Sequence, residues 1–182
     1  TCSPDLLKKS KALADRHGVP LSLHLLETQS EREGLTEKLG SSPVQFLRDT
    51  GLLDENLLAF HCVWLDEADI EMIARSGAKA VHNPESNMKL ASGIAPVPEL
   101  QAAGVTVALG TDGCASNNNL DMLQEMDTAA KLHKVSRLDP TAMSAKTVLR
   151  MVTVDGARAL GLGADAGRIA PGMKADVITL DF

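Results

Sequence analysis

Four short apolar runs alternate with amphipathic helical stretches along this 182-residue chain: VPLSLH at 19–24, LLAFH at 57–61, AKAVH at 78–82 and VTVALGTD at 105–112. Strands separated by helices are joined by crossovers, and crossovers build a parallel sheet with helices on its faces. The punctuation agrees. Ser3 is a good helix cap before Pro4, and Gly18 stops the helix that they open. Further helices are expected over 28–39, 42–50, 66–76, 97–103, 120–134 and 140–161, and the Pro/Asn/Gly-rich stretch 83–96 reads as a loop. In GRIAPGMKADVITLDF, Pro171-Gly172 separates two short strand-like pieces, a hairpin pattern. Four βα units fill residues 19–134, half of what a closed (β/α)8 barrel requires. The expected fold is therefore α/β: half of a TIM-type barrel over 1–161, with 162–182 a hairpin belonging to a separate small β domain. A doubly wound open sheet is the alternative, but neither G-x-G-x-x-G nor G-x-x-x-x-G-K-[ST] occurs to support a nucleotide-binding version of it. The opening TCSPDLL has no Met and reads as a strand end running into a helix, so further residues are expected upstream.

Composition narrows the function. Aromatic residues are 2% of the chain, so the core must be built from Leu, Val, Ile, Ala and Met. A net charge of −6 without a basic stripe argues against nucleic acid and anionic membranes as partners. No apolar run approaches the roughly 18 residues of a membrane span. Cys2, Cys62 and Cys114 form no CxxC pair and no disulfide framework, so reduced thiols in a cytoplasmic protein are expected.

Each apolar run ends in an ionisable residue: His24, His61, His82 and Asp112. In a parallel barrel the carboxyl ends of the strands converge on one mouth, where active sites lie. Histidine with carboxylate is a ligand set for a cation such as zinc, which lowers the pKa of a bound water toward neutrality. Glu27, three residues after His24, could donate a proton to a ring. Singly, each residue also has a structural reading: a strand-end His can be a core hydrogen-bonding group, Asp112 a turn former, and Glu27 a first-turn carboxylate. His17 and His133 sit near helix C-termini, where a partial positive charge is welcome, and are kept out of the site. Cys62 and Cys114 read as packing or lining residues.

The segments HLLET (24–28), HCVWLD (61–66), HNPESNMKLASGIAPV (82–97), LGTDG (109–113) and GRIAPGMKADVITLD (167–181) resemble the amidohydrolase superfamily, and within it the 5-methylthioadenosine/S-adenosylhomocysteine deaminase group. The resemblance runs over essentially the whole chain and implies strands five to eight of the barrel, with the C-terminal segment returning to a small β-sandwich domain. It implies one divalent metal ion, zinc before iron, manganese or nickel, with His24 and Asp112 as ligands. Asp112 would also shuttle a proton for the attacking water, Glu27 would protonate the ring nitrogen, and His61 would orient the hydroxide and stabilise the tetrahedral intermediate. Glu27 and His61 would thus also touch the substrate, a 6-aminopurine nucleoside such as 5′-methylthioadenosine or S-adenosylhomocysteine, converted to the inosyl product and ammonia. A homo-oligomer is implied too. Asn83, Ser86 and Asn87 are expected to bond nearby backbone.

The family's His-x-His metal pair is absent from these residues, so the first barrel half with its ligands is expected upstream on the same polypeptide. The H-x-E and P-C-x-x-C pattern of cytidine-type deaminases is absent as well. A guanine deaminase or an s-triazine amino- or chlorohydrolase of the same superfamily shares the motifs quoted. An inert barrel fragment is the alternative of another class.

Overall fold

The computed structural model describes residues 2–181; Thr1 and Phe182, the outer ends of the two expected units, lie outside the described residues. The chain runs α1 (Pro4–His17), β1 (Leu21–Leu25), α2 (Gln29–Leu39), α3 (Pro43–Asp49), β2 (Leu57–His61), α4 (Glu67–Ser76), β3 (Lys79–His82), α5 (Pro84–Lys89), α6 (Val97–Ala102), β4 (Val107–Leu109), α7 (Cys114–Asn117), α8 (Met122–Arg137), α9 (Ala145–Val152) and α10 (Val154–Ala159). The strands form one parallel sheet in the order β1-β2-β3-β4. Sequential order without a reversal is what a barrel segment requires, whereas a doubly wound sheet reverses its strand order.

Local chemistry sets the helix ends. Ser3 accepts a hydrogen bond from the Leu6 N–H, Pro4 occupies the first turn of α1, and Gly18 closes it in the left-handed conformation at φ 62°. Asp66 and Asp69 form a reciprocal capping box at the start of α4.

Strand alternation gives the sheet two faces. Leu57, Ala59, Ala80, Val107 and Leu109 pack against the helices, joined by Val44, Ile70, Ile73, Val97, Leu100, Ala129, Val148 and Met151. Leu58, Val81 and Ala108, with Phe60, cluster on the opposite face. His24 pairs in register with Phe60 and lies on that second face.

Several expected boundaries are corrected. The stretch 83–96 is not all loop, because Pro84 opens the six-residue α5. The expected strand 105–112 shortens to Val107–Leu109, which places Asp112 beyond the ladder. The expected helix 140–161 is two helices that break at Thr153 (φ −116°, ψ −92°). The Cys114–Asn117 turn of helix had no sequence signal. The two arms of the expected C-terminal hairpin do not pair among the described residues: Pro171-Gly172 makes a turn (Met173 N–H to Ala170 O, 3.2 Å), but no ladder follows. Ile169 and Ile178 are 90% and 78% exposed, and an isolated two-stranded ribbon with no apolar face covered is marginal at best. Among the described residues no helix is long and apolar enough to cross a membrane.

Candidate functional site

The carboxyl ends of β1, β2 and β4 bring His24, His61 and Asp112 together. One ligand atom from each lies within 4.8 Å of the other two. The His24 and His61 rings stack with centroids 5.1 Å apart. His61 Nε2 is 4.0 Å from Asp112 Oδ2 and 3.8 Å from Glu27 Oε2, so the fourth expected residue faces the same space.

The backbone is bent to achieve this. His61 and Asp112 both hold positive φ, 70° and 59°, as do neighbouring Leu26 and Cys62. Left-handed backbone at a non-glycine residue costs about 1–3 kcal/mol and concentrates where function requires it. At His61 the turn breaks the strand alternation that would aim its ring at the helices.

The segment between β3 and α6 holds the site from behind. Ser86 Oγ donates to Asp112 Oδ2 at 2.7 Å. Asn87 Oδ1 lies 2.8 Å from His61 Nδ1. Ser92 Oγ donates to Glu27 Oε1 at 3.2 Å, while the Trp64 indole N–H pins the Ser92 carbonyl at 2.7 Å. The expectation that Ser86 and Asn87 bond only nearby backbone is therefore corrected: their partners are site side chains 26 residues away. An amide oxygen only accepts, so in this pairing the His61 Nδ1–H donates and Nε2 presents a lone pair to the site. That atom is buried and has no partner among the described residues.

Burial works to raise the Asp112 carboxyl, but hydrogen bonds from Ser86 and the Gly113 N–H, with His61 and His24 close by, outweigh it and hold the group below the usual carboxylate range. Ionised Asp112 and the exposed His24 ring, the two residues singled out as ligands from sequence, make a donor pair suited to a divalent cation, with the free His61 Nε2 facing the same space.

His82 does not join them. It faces the helix layer, where its Nε2 lies 3.2 Å from Nε2 of His133 on α8. Both rings are 1% exposed. Burial, with the repulsion a charged ring would meet beside His133 and His61, pushes His82 down to about 3; burial and Arg137 push His133 to about 4, partly offset by Glu99. The expected charged role of His133 at a helix C-terminus is corrected: it is a neutral core residue. Cys62 is buried, and burial drives its thiol up to about 12, which suits packing; Cys114 is exposed. Glu125, fully buried on α8, and its partner Asn117 were not singled out from sequence, because no motif surrounds them.

The sequence profile of the amidohydrolase family matches residues 1–182. The chain is 59% identical over its whole length to the 5-methylthioadenosine/S-adenosylhomocysteine deaminase of Syntrophobacter fumaroxidans and covers 42% of that protein. It is 51% identical to the 5′-deoxyadenosine deaminase of Methanosarcina barkeri, again over its whole length and 42% of the relative. The crystal structure of an adenosine deaminase from Xanthomonas campestris with bound zinc superposes with a TM-score of 0.93 at 45% identity, over 97% of this chain and 40% of that one. The chain thus spans about two fifths of the relatives it matches.

Proposed function

We propose, from the premise that this chain belongs to the amidohydrolase family, that it forms strands five to eight of a (β/α)8 barrel in a longer deaminase of 6-aminopurine nucleosides altered at the 5′ position. The names of its relatives support that substrate class. The observation that carries the reading is the convergence of His24, His61 and Asp112 within 4.8 Å, with Glu27 beside them. On this reading residues 1–161 are barrel, and 162–182 pair with strands of a small β domain elsewhere in the full chain. The upstream half supplies the remaining metal ligands and part of the substrate pocket, and the full protein is a homo-oligomer.

His24 and Asp112 hold the metal, with His61 in reach, and zinc is favoured by the imidazole–carboxylate donors. When bound, the ion acidifies the attacking water. The side chains do the rest. Glu27 protonates the purine nitrogen adjacent to C6, which draws electron density from that carbon. Asp112 accepts a proton from the water as its oxygen bonds C6, and passes that proton to the amino nitrogen. His61 Nε2 accepts a hydrogen bond from the attacking oxygen and fixes its direction. Ammonia leaves as the C6–N bond breaks. The hydroxyl proton on C6 returns to Glu27, leaving a 6-oxopurine and restoring the acid.

The test is a spectrophotometric deamination assay of the full-length protein against 5′-methylthioadenosine, S-adenosylhomocysteine, 5′-deoxyadenosine, guanine and a chlorotriazine. Turnover of the 5′-altered nucleosides above the others is expected. Preference for guanine or the triazine keeps the chemistry and refutes the substrate. A zinc-loaded protein silent on all of them refutes the reading.

A further inference from the structure

A carboxylate in a protein interior is expensive unless donors satisfy it, and a helix normally turns Leu or Met inward instead. Glu125 on α8 is 0% exposed. Among the described residues no cation pairs with it. Burial, ahead of the opposing hydrogen bonds, pushes its carboxyl up to about 7.

Its donors come from two segments that both end at Asp112. Oε1 accepts from Asn117 Nδ2, and the same Nδ2 donates to the Thr111 carbonyl at 2.7 Å. Thr111 is the residue before Asp112, and the strained φ of 59° at Asp112 follows directly. Oε2 accepts from the Glu85 N–H at 3.4 Å, in the first turn of α5. One residue on, Ser86 donates to Asp112 Oδ2, and Asn87 then holds His61.

We propose that Glu125 is a positioning residue: its carboxylate ties the turn behind Asp112 to the helix in front of it, and so fixes the angle at which Asp112 presents its oxygen. The inference rests on reading Asp112 as a metal ligand. Glu125 touches neither metal nor substrate, so it acts through Asn117 and α5. Partners bonded directly to a ligand, as Ser86 is to Asp112, typically alter metal affinity or activity by roughly 10–100-fold when removed, and Glu125 stands one link further back, so the lower end of that range applies.

The experiment uses the full-length protein and measures zinc dissociation by chelator competition, beside kcat and KM. Glu125→Leu is expected to weaken zinc by about tenfold and to lower kcat with little change in KM. Asn117→Ala, a smaller disruption that keeps the test alive if the leucine variant does not fold, is expected to act in the same direction. Glu125→Gln keeps the acceptor for Asn117 and exchanges the long bond to Glu85 for an NH2 facing the Glu85 N–H, a contact loose enough at 3.4 Å that zinc affinity is expected within about threefold of wild type. A folded leucine or alanine variant that melts earlier but binds zinc as wild type does overturns the proposal, because a merely structural role moves stability alone. Asp112→Asn run alongside separates two failures. If it weakens zinc while Glu125→Leu does not, only the role of Glu125 falls; if neither does, the metal reading falls with it.

Discussion

The His82–His133 pair carries a sharp acid-stability prediction. Both rings are buried, and in the folded protein they titrate at about 3 and about 4. In the unfolded chain a histidine titrates near 6.5. Folded-state values below unfolded ones mean that the unfolded chain binds more protons, so stability rises with pH through this window. The stability is intact above about 6.5 and is lost progressively as the pH falls toward the folded values. Near pH 5 each unfolded histidine gains about 2 kcal/mol from protonation, while the folded rings remain neutral. The pair therefore removes about 4 kcal/mol between about pH 8 and about pH 5, a large part of a typical 5–15 kcal/mol domain stability. The assay is urea unfolding of the metal-free full-length protein across that range, compared with a His82→Asn/His133→Gln variant. The variant is expected to be less stable at pH 8 but to have a much flatter pH dependence. Equal slopes for the two proteins would refute the assignment of the pair as the buried acid-sensitive element.

Three further outcomes are expected. Asp112→Asn in the full-length protein is expected to lower the proposed deaminase turnover by on the order of 10²–10⁴-fold, and near-normal activity would remove Asp112 from the mechanism. Glu27→Gln keeps zinc but loses a similar share of kcat; if rate survives with metal, Glu27 is only a residue at the start of a helix. Gly110→Ala places a methyl 2.7 Å from Asn83 Oδ1 and 2.9 Å from Val81 Cγ1, so about 1–3 kcal/mol of stability is lost, seen as a lower melting temperature; an unchanged midpoint shows that Asn83 moves aside freely.

The strands were legible because each is a short apolar run leading to an ionisable residue, and three of the four are bounded by Gly or Pro. α5 was not, because six residues rich in Pro and Asn carry no helical period. The run 105–112 is apolar through Leu109, yet only three of its residues pair. The break at Thr153 hides inside a pattern that reads as one helix. Within the site, His24, Glu27, His61 and Asp112 were visible from position and motif, and the structure brings them together. The place of His82 was misjudged, since strand-end position does not say which face a side chain takes, and its partner His133 lies 51 residues away. Ser86, Asn87, Ser92 and Glu125 act across gaps of 8–65 residues, which local pattern cannot reach.

The most direct test of the metal site is an anomalous-difference map at the zinc edge from crystals of the zinc-loaded full-length protein. A peak about 2.0–2.2 Å from one imidazole nitrogen of His24 and one carboxylate oxygen of Asp112 is expected, with Glu27 beside it but not bound. A peak elsewhere, or none at these strand ends in a protein with stoichiometric zinc, would contradict it.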